Sequence, residues 1–261
     1  MKGIVLAGGL GTRLNPLTKV ASKQLLPIYD KPLIYYPVST LMLANIREII
    51  IIVAPNQIER FKQLLGDGHE FGIEISFQIQ DKPSGIAESL ILAENFLMGA
   101  KTALILGDNL FHGSGLGRRL EAFNHVNGAQ IFGYHVQDPS PYGVATINDE
   151  NKVIELNEKP EYSKSKIAIP GLYFLDESAS ERARKLKPSP RGELEILDLL
   201  KSYLDDAGLN LEMLPRGTAW FDSGTFDDLF EAGTYVKLMQ ERTGERVGDP
   251  SEIAKIRGWL G

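Results

Sequence analysis

The densest cluster of chemistry-bearing residues opens the chain, in Leu6-Ala-Gly-Gly-Leu-Gly-Thr-Arg-Leu14. An apolar run, Lys2 to Ala7, gives way to glycines at 8, 9 and 11. Glycine lets the backbone come close to a ligand and take positive φ. Successive N–H groups in such a loop form a concavity suited to an anion. Arg13 adds a planar fork that grips phosphate oxygens in bidentate fashion. Lys19 and Lys23 follow closely, so one loop concentrates three cations. Phosphate binding is the chemistry this combination fits best. Neither common phosphate loop is present. A G-x-G-x-x-G beginning at Gly9 needs glycine where Leu14 stands, and a Walker A loop needs a Gly-Lys step that the chain lacks.

Two aspartates offer a second chemistry. Asp108, in Leu104-Ile-Leu-Gly-Asp-Asn109, ends an apolar run, at the strand edge where open α/β sheets bind ligands. Asp222, in Trp220-Phe-Asp-Ser-Gly224, follows another short apolar run. Only folding can unite two positions so far apart. Paired carboxylates with a few waters suit Mg²⁺, usually shared with substrate phosphates. Each aspartate alone also reads as a turn or helix cap; the neighbouring phosphate loop favours the shared metal.

Asn157-Glu-Lys-Pro160 places an acid and a base before a proline: Lys159 could hold a second phosphate and Glu158 accept sugar hydroxyls, although Glu-Lys pairs are commonly solvated surface. Gln80, in Gln78-Ile-Gln-Asp-Lys-Pro-Ser-Gly85, both donates and accepts, which matches a nucleobase edge. Arg191, in Arg191-Gly-Glu-Leu-Glu195, is either a further phosphate contact or the opening of a helix. His112 reads as a packing or surface residue, because the four histidines show no ligand spacing. No Ser/His/Asp arrangement stands out.

The elements that must hold these residues alternate between strand and helix. Lys2–Ala7, Glu48–Ala54 and Thr102–Gly107 are continuous apolar runs, suited to parallel strands covered on both faces. Between them Ile58, Phe61, Leu64 and Leu65 share a helix face that Gly66 stops. Ser84 is expected to cap a helix presenting Ile86, Leu90 and Leu97. Asp30 is expected to cap another, with Pro32 in its first turn and a kink at Pro37. This opening predicts a doubly wound parallel sheet. Later, Val144–Leu156 reads as a hairpin around Asn148–Asn151, Ile167–Leu175 as a strand, and Leu194, Leu197, Leu200 and Leu204 as a helix stripe. Thr225 and Asp228 have capping-box spacing before Phe226, Leu229, Phe230, Val236 and Met239.

Composition bounds what else the chain can be. Its 261 residues allow one large domain or two small ones, and the absence of a linker rich in Pro, Gly or Ser favours one elaborated α/β domain. With no cysteine there is no disulfide, thiolate nucleophile, cysteine zinc site or iron–sulfur cluster. The formal charge of −6 argues against nucleic acid as the main partner. No apolar stretch is long enough to span a membrane, and Met1 running straight into a strand argues against a secretory signal.

Taken in order, these pieces resemble the sugar-1-phosphate nucleotidyltransferases. Leu6–Leu14 followed by Ser22-Lys-Gln-Leu-Leu-Pro27 carries the likeness. Tyr29-Asp-Lys-Pro-Leu-Ile-Tyr-Tyr-Pro37, Leu106–Asn109, Asn157–Pro160, Lys187–Ile196 and Trp220–Thr225 narrow it to the glucose-1-phosphate thymidylyltransferases. The likeness runs from residue 2 to about 242. It implies a Rossmann-like α/β fold with a mixed, mostly parallel central sheet flanked by helices, of the nucleotide-diphospho-sugar transferase type. It implies one catalytic domain over 1–242, with a sugar-binding elaboration in its second half, and a short helical tail over 243–261. The implied reaction is dTTP plus α-D-glucose 1-phosphate to dTDP-glucose plus pyrophosphate with Mg²⁺, the entry to dTDP-deoxysugars such as dTDP-rhamnose. The implied setting is a cytoplasmic homo-oligomer, a dimer or tetramer. Gly8, Gly9, Gly11 and Arg13 would wrap the triphosphate, Leu6 and Thr12 would also bind nucleotide, Lys23 would touch phosphate and Gln24 the deoxyribose. Gln80 and Gly85 would read thymine, Pro83 would also bind nucleotide, and Asp108 and Asp222 would hold Mg²⁺. Tyr142, Gly143, Glu158 and Gly171 would line the sugar, with Lys159 and Arg191 on its phosphate. The alternatives are a UTP-using or other relative on the same scaffold, or a non-catalytic nucleotide-sugar sensor. The likeness frays at Glu252-Ile-Ala-Lys-Ile-Arg257: relatives often place an aromatic and an arginine where Lys255 and Ile256 stand, so a family-type feedback site is not expected intact.

Overall fold

The run Glu48–Val53 shows why the first layer is parallel. Every residue after Glu48 is buried, so the strand must be covered on both faces. In the computed structural model, which describes residues 1–260, this strand lies between Lys2–Ala7 and Glu74–Ile79, parallel to both. Gly3 faces Ile49 and Ala7 faces Val53 on one side; Glu48 faces Glu74 and Val53 faces Ile79 on the other. The helix Ile58–Leu65 buries Phe61 and Leu65 and ends at Gly66, as its spacing predicts.

The described residues fall into two compact units. The first takes Met1–Pro83, Ile105–Ala122 and the chain from Gly217 on; the second takes Ser84–Leu104 and Phe123–Arg216. In the first, Leu110–His112 pairs antiparallel with Ala219–Phe221. Below that ribbon, Ile28, Leu33, Tyr36, Leu110, Val236 and Val247 form an apolar cluster. The long helix Phe226–Thr243 contributes to the cluster, and its N-terminus carries the capping box read from the sequence. Thr225 Oγ1 accepts from the Asp228 N–H at 3.2 Å, and Asp228 Oδ2 accepts from the Thr225 N–H at 2.7 Å. Phe226 and Phe230 lie on that helix's exposed side. Pro250–Ile256 forms a last helix, capped by Asp249 and packed on Tyr35–Leu43.

In the second unit Ala129–His135 is the hub strand. Leu209–Met213 runs parallel to it; Leu172–Leu175 and Ile167–Ala168 run antiparallel. Ile167–Ala168 also joins Gly143–Ile147, which pairs with Val153–Glu158 in the expected hairpin. At its turn, Asn148 Oδ1 accepts from the N–H groups of Glu150 and Lys152. The fold is thus the α/β class expected, with a mixed sheet flanked by helices; parallel pairing dominates the first unit and antiparallel pairing the second.

Four local readings are corrected. Ser84 caps no helix: the helix Glu88–Leu92 starts later, from Ala87, and the Ser84 carbonyl accepts from the Leu194 N–H. Asp30 caps none either. Lys31–Pro32 is a short strand and the helix begins at Tyr35, while Asp30 pairs with Lys31 at 2.5 Å and accepts from Gln240. Pro37 falls in that helix's first turn, where its missing N–H has no intrahelical partner to lose, so it supplies no cause for a kink. Finally, Ile167–Leu175 is two strands rather than one, broken around Pro170.

Candidate active site

The antiparallel ribbon brings the two distant aspartates to one place. Phe221 pairs with Leu110, so Asp222 leaves the ribbon beside the arriving Asp108–Asn109. Lys23 ties them. Its ammonium, on a residue only 6% exposed, donates to Asp108 Oδ2 at 2.8 Å and to the Asp222 carbonyl at 3.2 Å. The other Asp108 oxygen, Oδ1, accepts from Asn109 Nδ2 at 2.9 Å, and Asn109 Oδ1 in turn accepts from Trp220 Nε1 at 2.7 Å. Motif order alone did not reveal this chain from Trp220 through Asn109 to Asp108. Its signal is the pairing of two short apolar runs, one carrying Trp220 and the other preceded by Asp108 and Asn109.

Asp222 is treated differently. Its side chain accepts one long hydrogen bond, from the Gly224 N–H at 3.3 Å. Burial pushes its carboxyl above the usual carboxylate range, and Asp228 and Asp108 push it the same way; Lys23 and the Gly224 N–H offset this only in part. Next to it Ser223 is fully buried at φ 45°, a left-handed conformation uncommon for a non-glycine residue, and its hydroxyl finds no partner among the described residues.

The glycine loop stands with these groups in the first unit. A Cβ on Gly8 would come 2.3 Å from Gln80 Oε1, so glycine is what lets the buried Gln80 amide reach the loop. Leu6 leads into the loop, its carbonyl taken by the Gly107 N–H. Gly11 has φ 61°, and its carbonyl accepts from Thr18 Oγ1 at 2.8 Å. Arg13, exposed, lays its guanidinium against Gly224: a Cβ there would be 3.2 Å from Nη2 and 3.4 Å from Nη1. Gln24 is buried and accepts at Oε1 from Ser22 Oγ at 2.5 Å. Gly9, Thr12 and Lys19 remain at the surface, and Pro83 closes the first unit's leading segment.

The sugar-side candidates gather in the second unit. Gly143 pairs with Glu158 across the hairpin, and a Cβ on Gly143 would lie 3.6 Å from Glu158 Oε2. The Lys159 N–H donates to the Tyr142 carbonyl at 3.0 Å, and Lys159 turns out at φ 42° with its ammonium half-exposed, 3.6 Å from Glu158 Oε1. Arg191 reaches the same carboxylate. Its Nη2 is 2.9 Å from Glu195 Oε1, 3.8 Å from Glu158 Oε1 and 4.0 Å from Glu193 Oε2, and these acids raise its pKa further, Glu195 most. Arg191 precedes the helix Ile196–Asp205 and does not open it. Gly85, at φ 104°, lies against Leu194, whose backbone leaves no room for a Cβ. Gly171 lies in the break before the strand Leu172–Leu175.

His112 is a packing residue, one of the two readings its context allowed. Its Nδ1 is 2.7 Å from Tyr235 Oη, the rings meet edge to face, and burial lowers its pKa.

Among the described residues no group of three or more His, Cys, Asp and Glu side chains gathers to cage a metal. Asp108 and Asp222 are therefore the donor set to test. They fit a hard divalent ion that takes one or two carboxylates and fills its shell with phosphate oxygens and water. The under-compensated Asp222 and the orphaned Ser223 hydroxyl beside it both favour such an ion.

The nucleotidyl transferase family model matches residues 2–237. The glucose-1-phosphate thymidylyltransferase of Xanthomonas campestris pv. campestris (strain B100) is 52% identical over 262 residues, covering 99% of this chain and 88% of that protein. That of Mycolicibacterium smegmatis is 48% identical, covering 100% and 90%. A solved Bacillus anthracis structure, provisionally named a glucose-1-phosphate thymidylyltransferase and holding sucrose, shares 40% identity. It superposes at a TM-score of 0.83 over 90% of this chain and 94% of that one. UDP-glucose pyrophosphorylase with UDP-glucose, at 24% identity and a TM-score of 0.79 over 91% and 98%, shares the fold. The chain belongs to the nucleotidyl transferase family, among the glucose-1-phosphate thymidylyltransferases.

Proposed function

We propose that this protein transfers a deoxythymidylyl group from dTTP to α-D-glucose 1-phosphate, giving dTDP-glucose and pyrophosphate, with Mg²⁺. The observation that carries the reading is the cluster of Lys23, Asp108 and Asp222 beside a glycine loop that admits the Gln80 amide. It occurs in a chain half identical to enzymes of that name along nearly its whole length.

The chemistry is positioning and electrostatics, because two polyanions must meet. A phosphate oxygen of the sugar phosphate, already ionised at neutral pH, attacks the α-phosphorus in line and pyrophosphate leaves. No side chain has to remove a proton. The loop N–H groups of Gly8, Gly9 and Gly11, with Leu6 and Thr12, hold the triphosphate, and Arg13 neutralises charge moving toward pyrophosphate. Lys23 contacts phosphate, Gln24 the deoxyribose, and Gln80, Pro83 and Gly85 the base. Tyr142, Gly143, Glu158 and Gly171 orient the glucose; Lys159 and Arg191 hold its phosphate. Asp108 and Asp222 would hold Mg²⁺, which when bound would neutralise phosphate charge. The two substrates are charged phosphates that do not cross membranes, so the reading takes the enzyme as cytoplasmic. No helix among the described residues is long and apolar enough to cross a membrane. It also takes residues 1–242 as the catalytic body and the protein as a homo-oligomer, which light scattering reads directly.

Pyrophosphate release, measured with glucose 1-phosphate against dTTP, UTP, CTP and GTP, tests the assignment. Release led by dTTP supports it. Release led by UTP moves the protein to the neighbouring specificity, and ligand binding with no release makes it a sensor.

A further inference from the structure

Between Trp220 and Asp108 the Asn109 carboxamide can face only one way. Trp220 Nε1 donates to Asn109 Oδ1 at 2.7 Å, and Asn109 Nδ2 donates to Asp108 Oδ1 at 2.9 Å. An indole N–H can only donate, and a carboxylate, here paired with the Lys23 ammonium, can only accept. The opposite flip of Asn109 would set donor against donor and acceptor against acceptor. Asn109 is only 1% exposed, so water does not compete for these bonds. The chain also crosses the ribbon. Trp220 pairs with Phe111 on the strand that leads into Asp222, while Asn109 directly follows Asp108.

We propose that Trp220 is a positioning residue: its indole N–H, acting through the Asn109 carboxamide, sets the orientation of the Asp108 carboxylate and with it the affinity of the site for a divalent ion. The inference rests on reading Asp108 and Asp222 as the metal pair. Asp108 is held from two sides, by Asn109 on Oδ1 and by Lys23 on Oδ2 at 2.8 Å. Each oxygen accepts one of these hydrogen bonds and keeps a second lone pair for a cation. Lys23 brings a charge to this arrangement, whereas Trp220 brings direction only. Without its N–H the carboxamide is free to turn, and the carboxylate loses one of its two guides.

The test uses Mn²⁺ alone, titrated into the full chain without either substrate and followed by the electron paramagnetic resonance of free Mn²⁺. Trp220→Phe keeps an aromatic ring and removes the N–H. It should weaken Mn²⁺ binding by about tenfold, the low end of the usual loss for a group that orients a metal ligand. A ring that served only to pack or to touch substrate would leave Mn²⁺ binding where it was. On an Asp108→Ala background, itself weakened, Trp220→Phe should add nothing, because both changes act through one carboxylate. Mn²⁺ binding unchanged in Trp220→Phe, or weakened equally with and without Asp108, overturns the positioning role. Asp108→Ala binding Mn²⁺ as wild type does overturns instead the metal-pair reading beneath it. Should Trp220→Phe not fold, Asn109→Leu breaks the same link at its centre. The same tenfold loss is expected there, and unchanged Mn²⁺ binding overturns the proposal.

Discussion

Asp176 and Asp222 are both half-buried aspartates, one in each unit, and they are treated in opposite ways. Asp176 is saturated with donors. The Gly128 N–H reaches Oδ2 at 2.8 Å, while the Ser178 N–H, Ser178 hydroxyl and Tyr203 hydroxyl reach Oδ1 at 3.0, 2.6 and 3.0 Å. Burial pushes its pKa up, but these hydrogen bonds, Ser178's first, outweigh burial and leave it lowered. Asp222 has one weak donor and two acidic neighbours, and its pKa is raised. The first carboxylate is finished within its unit and serves the fold. The second is left short of positive charge, which fits a group whose partner arrives with substrate.

Breaking each side should therefore fail differently. On the active-site side, Arg13→Ala, Lys159→Ala and Asp108→Ala should each lower kcat/KM by roughly 10²–10³-fold, the usual loss for a group stabilising transition-state charge. Their circular dichroism should stay that of wild type, and near-normal kcat/KM in all three would erase the distinction. On the structural side, Asp176→Ala strands four donors and should cost about 2–3 kcal/mol of stability, read by urea unfolding, while the folded fraction keeps its kcat/KM.

The pH signs sharpen the contrast. Asp176 is lowered, so its stabilisation is present above the ordinary carboxylate value of 3.8 and is lost as pH falls through its folded pKa. The stability gap between wild type and Asp176→Asn should close in acid. Asp222 is raised, so its ionised form costs stability at neutral pH, and that cost fades as pH falls through the raised pKa toward 3.8. A smaller effect is expected at the capping box that follows Asp222. Thr225→Ala should cost about 1 kcal/mol, measured as a lowered urea midpoint with an unchanged slope.

The elements were largely legible in the sequence where one physical rule decided them. The all-apolar Glu48–Val53 run, the Gly66 stop and the Thr225–Asp228 box each depend on a few adjacent residues. Asp30 and Ser84 misled because a capping side chain is recognisable only once the helix start is fixed. Here Lys31–Pro32 pairs as a strand and Ser84 lies against Leu194, both contacts invisible locally. The site residues were legible as types, but their electrostatics were not. That Lys23 neutralises Asp108, that Arg13 lies on Gly224, and that Arg191 is ringed by Glu158, Glu193 and Glu195 depend on contacts between distant segments or on rotamers that spacing does not fix.

The most direct test of the central claim is one variant measured two ways. Asp222→Asn removes a charge that the metal-free fold pays for and that the proposed reaction needs. At neutral pH without divalent ions its thermal midpoint should lie above wild type. With Mg²⁺, dTTP and glucose 1-phosphate its pyrophosphate release should collapse. A variant less stable than wild type, or one that turns over normally, would contradict the account.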